Sequence, residues 1–294
     1  MEKAKVYFTK NITEDSIVEI YKKLGIELPG KVAVKVHSGE EGNQNYLKAE
    51  FVKDVINYVN GTVVECNTAY PGARNTTKKH KKLIEKHEWD KYFPFDLMDA
   101  EGPDLVLEIP NGKIINKNYV GKNLANYDSM LVLSHFKGHA MGGYGGALKQ
   151  LSIGIASSAG KTYIHTGGAS IKQIQTFLKK AKQDVFLEAM ADSASSIVNY
   201  FNGNIAYINV MKNISIDCDC DGHASAPCMK DVGILASLDP IAIDQACLDL
   251  VYNSEDPGKD KLIERIESKH GVHTIEASSE LGFGSREYEL IEIK

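Results

Sequence analysis

The sequence predicts an α/β protein: mostly parallel sheets flanked by helices. Three observations carry that expectation. Short apolar runs alternate with stretches of helical periodicity. The segments that follow the apolar runs are rich in glycine, histidine and lysine. No low-complexity stretch or short-period repeat breaks the rhythm. The pattern leaves open whether the strands form one sheet or two lobes with a cleft between them.

Each element has its own reason. Residues 31–36 (KVAVKV) read as a strand, and residues 47–59 follow as a helix with Leu47, Phe51, Val55, Ile56 and Val59 at helical spacing. Residues 62–66 (TVVEC) are the next strand, 76–87 a charged helix, and 129–134 (SMLVLS) a further strand. The second half repeats the rhythm: 171–201 mostly helical, 205–211 (IAYINVM) and 232–236 (VGILA) strands, and 241–252 a helix. That last helix opens just after Asp239-Pro240, where proline suits a first turn. No clear linker is evident, and the softest internal division falls near residues 166–204.

Composition narrows the classes. The chain has 294 residues, 43% hydrophobic and 25% charged, enough to bury a sizeable core without staples. A net charge of −5 argues against a general nucleic-acid binder. No stretch approaches the roughly 18–20 apolar residues that span a bilayer, and the N-terminus has early acids rather than a signal peptide's long apolar core. The expectation is a cytoplasmic protein without nucleic-acid or membrane partners. Of the five cysteines, Cys218, Cys220 and Cys228 crowd into eleven residues. In a reducing compartment this reads as metal or redox chemistry, or as buried thiols, before disulfides. Cys66 and Cys247 lie in apolar segments and read as packing residues.

Four segments concentrate chemistry. The densest, residues 134–165, contains His135, Lys137, His139, Lys149, Lys161 and His165 around glycines at 142, 143, 145 and 146. It follows a strand, and strand ends are where open α/β sheets place ligands. Glycines such as Gly145 and Gly146 let the backbone approach a bound group closely, so the segment suits an anion, a metal or a carbonyl compound. The bland alternative is a tight turn with solvated lysines. It is not a phosphate-wrapping GxxxxGK[ST] loop, because Lys149 is followed by Gln150. The second segment, residues 217–228 (DCDCDGHASAPC), offers Cys218 and Cys220 among acids and a histidine, ligands suited to zinc, iron or nickel. Its C-x-C lacks the spacing of a zinc ribbon or of an iron–sulfur site, so no intrinsic iron–sulfur cluster is expected. Loop thiols beside helix-capping acids are the alternative. The third segment, residues 35–46, brings His37 to a strand end. The fourth, residues 66–77, offers Asn67, Tyr70 and Arg74 to a carboxylate or phosphate, Arg bidentately. Each is more often a turn residue, but all lie just after strands.

The strings KVHSGEEGNQNYLKAEFV, ECNTAYPGARNT, VLSHFKGHAMGGYGGALKQLSIGIASSAGKTYIH, INVMKNISIDCDC and VGILASLDPIAIDQACLDLV resemble DUF362 proteins, in order and over nearly the whole chain. Members of that family usually insert a ferredoxin-like module with paired CxxCxxC motifs after the position matching His165. Residues 166–185 stand there without a cysteine, so the family's electron-carrier label does not carry over. A second, shorter resemblance is to the lactate racemase family and its nickel-pincer nucleotide. His139, Lys149 and His165, at spacings of ten and sixteen, are similar to that family's catalytic histidine, cofactor-tethering lysine and nickel-ligating histidine. The resemblance implies His139 as general acid–base, Lys149 as an amine attacking the cofactor, His165 as a nickel ligand and Arg74 as a carboxylate holder. The family's other catalytic histidine has no single counterpart; His37 and His135 are its candidates.

Three functions remain: an enzyme on a small anionic substrate with a metal or metal cofactor, a binding protein for such a ligand without turnover, and a redox partner of a separate ferredoxin or other electron-transfer protein. The loops after the strands ending near Val36, Cys66 and Ser134 are expected to converge, with residues 217–228 approaching the glycine-rich segment.

Overall fold

The computed structural model describes residues 3–293, apart from the Phe177 side chain. In chain order the first half comprises β1 (Ala4–Thr9), α1 (Glu14–Lys23), β2 (Val32–Lys35), α2 (Ala49–Tyr58), β3 (Gly61–Glu65), α3 (Thr77–Lys86), β4 (Phe95–Leu97), the hairpin β5 (Leu105–Glu108) and β6 (Lys117–Val120), and β7 (Ser129–His135). A short hairpin of β8 (Lys137–His139) and β9 (Gly143–Gly145) then leads into α4 (Ala147–Lys149), a π-helical turn at Gln150–Gly154 and α5 (Ser158–His165). The remainder is α6 (Gln175–Leu178), α7 (Gln183–Phe201), β10 (Ile205–Met211), β11 (Gly233–Ser237), α8 (Pro240–Tyr252), α9 (Lys259–Ser268), α10 (His273–Glu280) and β12 (Tyr288–Glu292).

Eight strands form one mixed sheet in the order β12-β1-β11-β10-β7-β2-β3-β4. Every pairing in it is parallel except the two made by β11. The α/β expectation therefore holds, and the sheet is continuous across residues 166–204, since β10 pairs with β7. Burial on both faces explains why β7 and β10 are mostly apolar rather than alternating. Along β7, Met130 and Val132 join the core beneath α7 and α8, while Leu131 and Leu133 join the core beneath α1 and α2. Alternation of side chains along a strand feeds both layers from one segment.

The helix starting at Pro240 is as expected: Asp239 caps it by accepting the Ile241 and Ala242 N–H groups, and Pro240 occupies its first turn. Residues 171–201 differ from expectation. Helix α7 begins only at Gln183, and the chain from 166 to 182 is mostly turn. Gly167 and Gly168, at φ +57° and +83°, end α5 in the left-handed region. Ile174 and Leu178 are then 75% and 73% exposed, so their helix-like spacing serves no buried face. Among the described residues no helix is long and apolar enough to cross a membrane.

Candidate functional site

A cleft of about 550 Å3 opens over the carboxyl ends of β2, β3 and β7. His37 reaches it from the loop after β2, Tyr70 and Arg74 from the loop after β3, and His139 and Lys149 from the glycine-rich segment. Cys220 approaches from the 217–228 loop, and His165 and Lys161 from α5. The expected convergence is met, and Arg74 and His139 share one cavity. The glycine-rich segment is held by Asp244 of α8, which accepts the Ala147 and Leu148 N–H groups at 2.8 and 3.0 Å and Asn209 Nδ2 at 2.7 Å. A Cβ on Gly146 would lie 2.4 Å from the Asp244 carboxylate, so this approach requires glycine. Burial pushes the Asp244 carboxyl up to about 6, against the pull of those donors.

The cations divide into two sets. Arg74 is committed to protein: its Nε donates to Glu40 at 3.2 Å, Nη2 to the Tyr70 hydroxyl at 2.8 Å, and Nη1 lies 3.6 Å from Glu65. Glu65 also accepts from Ser38 and faces His80 Nε2 at 3.2 Å. Burial opposes its ionisation, but His80, Lys35 and Arg74 hold it well below the usual carboxylate range. Lys137 is paired with Asp219 at 2.8 Å. Lys35, Lys149 and Lys161 form the second set. Lys35 donates to the Val36 carbonyl and to Gln150 Oε1 at 2.9 Å, Lys161 to the Ala156 carbonyl at 2.5 Å, and Lys149 to Cys218 Sγ at 3.6 Å. Among the described residues none of the three has a carboxylate at ion-pair distance, so an anion in the cleft would favour their charged forms. Burial lowers Lys35 to about 7 and lowers Lys161 as well.

The histidines are distinguished by their hydrogen bonds. His139 Nδ1 accepts the backbone N–H of Gly142 at 2.8 Å and of Met141 at 3.2 Å. That nitrogen is therefore unprotonated, and the neutral ring carries its proton on Nε2, which lies 4.0 Å from Cys220 Sγ. His165 is the converse: Nδ1 faces the Lys161 carbonyl at 2.6 Å and must donate to it, leaving Nε2 as a lone pair. Burial lowers His165 to about 4, so it stays neutral at ordinary pH. His37 Nδ1 accepts from Gly39 N–H at 3.2 Å; burial, then Arg74, holds His37 well below its usual range.

The ligand atoms of His139, Cys218 and Cys220 lie within 4.8 Å of one another, a spacing that admits a metal ion. The protonation of His139 fits this less well than the spacing does. A ligating Nε2 normally has its Nδ1–H donated to an acceptor, whereas here Nδ1 itself accepts two amides. His165 has the arrangement that a metal-binding imidazole requires. The β-turn at 218–221, closed by Asp221 N–H to the Cys218 carbonyl at 2.9 Å, brings the two thiols together. Burial opposes a charge on Cys218, but the neighbouring Cys220 thiol and the ammonium groups of Lys149 and Lys137 hold it well below the usual thiol range. The proximity of Cys218, and then burial, pushes Cys220 up.

Some candidates lie outside the cleft lining. His135 is buried, bound to Asp219 at 2.9 Å and to the Lys212 carbonyl at 2.5 Å. Asn67 ties the β3 loop to Asp99 and Thr77. Lys137, Gly145 and Gly146 support the wall from behind, and Cys218, 2% exposed, sits behind Cys220. The cleft also includes Lys35, Glu40 and Glu65, which were not singled out from the sequence. A signal existed for two of them: Lys35 and Glu65 are charged residues inside apolar strands.

Residues 32–249 match the family model described as a domain of unknown function, DUF362. The chain belongs to that family. No curated protein matches it. Among solved structures, the lactate racemase apoprotein from Thermoanaerobacterium thermosaccharolyticum aligns with 85% of this chain and 58% of its own length, at 12% identity and a TM-score of 0.48. A Thermotoga maritima structural-genomics protein aligns with 91% of this chain and 59% of its own, at 11% identity and a TM-score of 0.43. This DUF362 chain thus spans about three-fifths of the length of both.

Proposed function

We propose that the cleft is an active site for a small anionic molecule, and that a transition-metal-bearing cofactor is held there through His165 Nε2. The observation that carries this reading is the opposite protonation of two imidazoles facing one cavity. His165 offers a lone pair, the form that ligates zinc, iron or nickel. His139 offers the N–H of a neutral imidazole, the form that donates a hydrogen bond and polarises a substrate oxygen. Lys149 lines the same cavity, an amine suited to holding the cofactor covalently or by charge. Lys35 and Lys161 attract the anion, while Arg74, tied down by Glu40 and Tyr70, shapes the wall. The metal, when bound, supplies a Lewis acid that polarises a substrate oxygen.

The test is metal and small-molecule content by native mass spectrometry after expression with the candidate metals. His165→Ala is expected to lose the metal, and Lys149→Ala the organic part of the cofactor. His139→Ala keeps both while losing turnover. Equal metal content in wild type and His165→Ala, or loss of metal in His139→Ala alone, overturns the assignment.

A further inference from the structure

The Cys218–Cys220 pair is a feature that neither the lone pair of His165 nor the proton of His139 uses. We propose that it is a redox-active dithiol, with Cys220 the sulfur that a low-molecular-weight disulfide meets in the cleft and Cys218 the sulfur that resolves the mixed disulfide. Four observations carry this. Cys220 lines the cleft whereas Cys218 lies buried behind it. The 218–221 turn folds the two residues toward each other, and the Cys220 backbone N–H lies 3.4 Å from Cys218 Sγ. Cations and donors surround the pair: Lys149 Nζ at 3.6 Å from Cys218 and the His139 Nε2–H at 4.0 Å from Cys220. The remaining cysteines differ: Cys66 has Lys35 and Lys161 near it, but burial pushes its thiol up and it donates to the Ile155 carbonyl, Cys228 donates to the Ile214 carbonyl, and Cys247 packs against Asn209. Thiolates beside lysines and histidines are the reactive ones.

The exchange balances without a further reactant. Cys220 gives its proton to the Cys218 thiolate, whose sulfur lies within 4.8 Å, and attacks one sulfur of the disulfide RSSR. The S–S bond breaks and RS⁻ leaves. Cys218 then attacks the Cys220 sulfur of the mixed disulfide. A second RS⁻ departs and takes the Cys218 proton as RSH. The protein is oxidised by an electron pair to the Cys218–Cys220 disulfide, and RSSR is reduced to its two thiol products. In a reducing compartment such a pair is catalytic or sensory rather than structural.

This inference does not depend on the cofactor reading, because metal content reports His165 while thiol state reports the cysteine pair. Oxidised glutathione added to reduced, metal-free protein is the probe, read by intact mass and peptide mapping. Wild type is expected to lose a pair of hydrogens, mapped to Cys218–Cys220. Cys218→Ser accumulates one glutathionyl group on Cys220, and Cys220→Ser reacts roughly ten-fold or more slowly. If Cys218→Ser fails to fold, wild type quenched early shows the mixed disulfide on Cys220 before the internal bond forms. Absence of the internal disulfide, or first glutathionylation at Cys228 instead, overturns the proposal. So does one equivalent of zinc bound in wild type, lost in Cys220→Ser, with no disulfide formed; that result makes the pair a metal ligand set.

Discussion

At the scale of single residues, the energetics of the cleft floor are set by burial. Lys35 is 2% exposed and its two acceptors are neutral. Burial lowers it to about 7, with Glu65 opposing. An unfolded lysine titrates near 10.4, so between about pH 7 and that value the unfolded chain binds more protons, and this residue makes stability rise with pH. The cost of burying its charge is fully present below about pH 7 and disappears toward the unfolded value. Lys35→Met is therefore expected to be more stable than wild type at neutral pH by about 1–3 kcal/mol. Urea titrations should show that gap narrowing as pH rises through the window. A gap independent of pH would mean that Lys35 keeps its charge in the folded protein just as it does in the unfolded chain.

Secondary-structure elements place these residues through a few buried polar anchors. Asp244 on α8 is fully buried and takes donors from α4, from Asn209 on β10, and from the Tyr144 hydroxyl at 3.3 Å. Replacing it leaves amides of the glycine-rich segment without acceptors. Asp244→Ala is expected to cost about 3 kcal/mol or more, and Asp244→Asn less, since one acceptor oxygen remains. Comparing denaturation midpoints of the two variants checks the ranking, and equal losses would count against the hydrogen-bond account. A second anchor, Asp192 on α7, accepts three consecutive N–H groups, from Lys113, Ile114 and Ile115, at 2.7–2.9 Å. It fixes the turn between β5 and β6 in the same way. Neither aspartate stood out in the sequence, because an acid inside an otherwise ordinary helix has no local mark of the partners it meets.

Across the whole molecule, one mixed sheet brings four loops to one rim. The same placement bears on iron–sulfur chemistry. A four-thiolate cluster needs its cysteines at one point, but Cys66, Cys228 and Cys247 each sit in separate packing environments. Anaerobically purified protein is expected to show no broad visible charge-transfer absorption and no acid-labile sulfide. Near-stoichiometric sulfide would overturn that expectation.

The largely apolar runs at 31–36, 62–66, 129–134 and 205–211 determined these strands by themselves, because strands buried on both faces are written as mostly apolar rather than alternating segments. Strand ends followed by glycine and polar residues marked the rim of the cleft for the same local reason. Local periodicity misplaced the start of α7, because Gly167 and Gly168 end the preceding helix through backbone conformation rather than hydrophobic pattern. Only the tertiary structure decided which polar residues face the cavity. His135 and His139 stand in the same segment of sequence, yet Asp219, from 84 positions away, buries one while the other opens to the cleft. Likewise, the proton positions on His139 and His165 follow from which backbone amide or carbonyl meets each Nδ1. Such partners are set by how the chain packs, and no residue spacing encodes them.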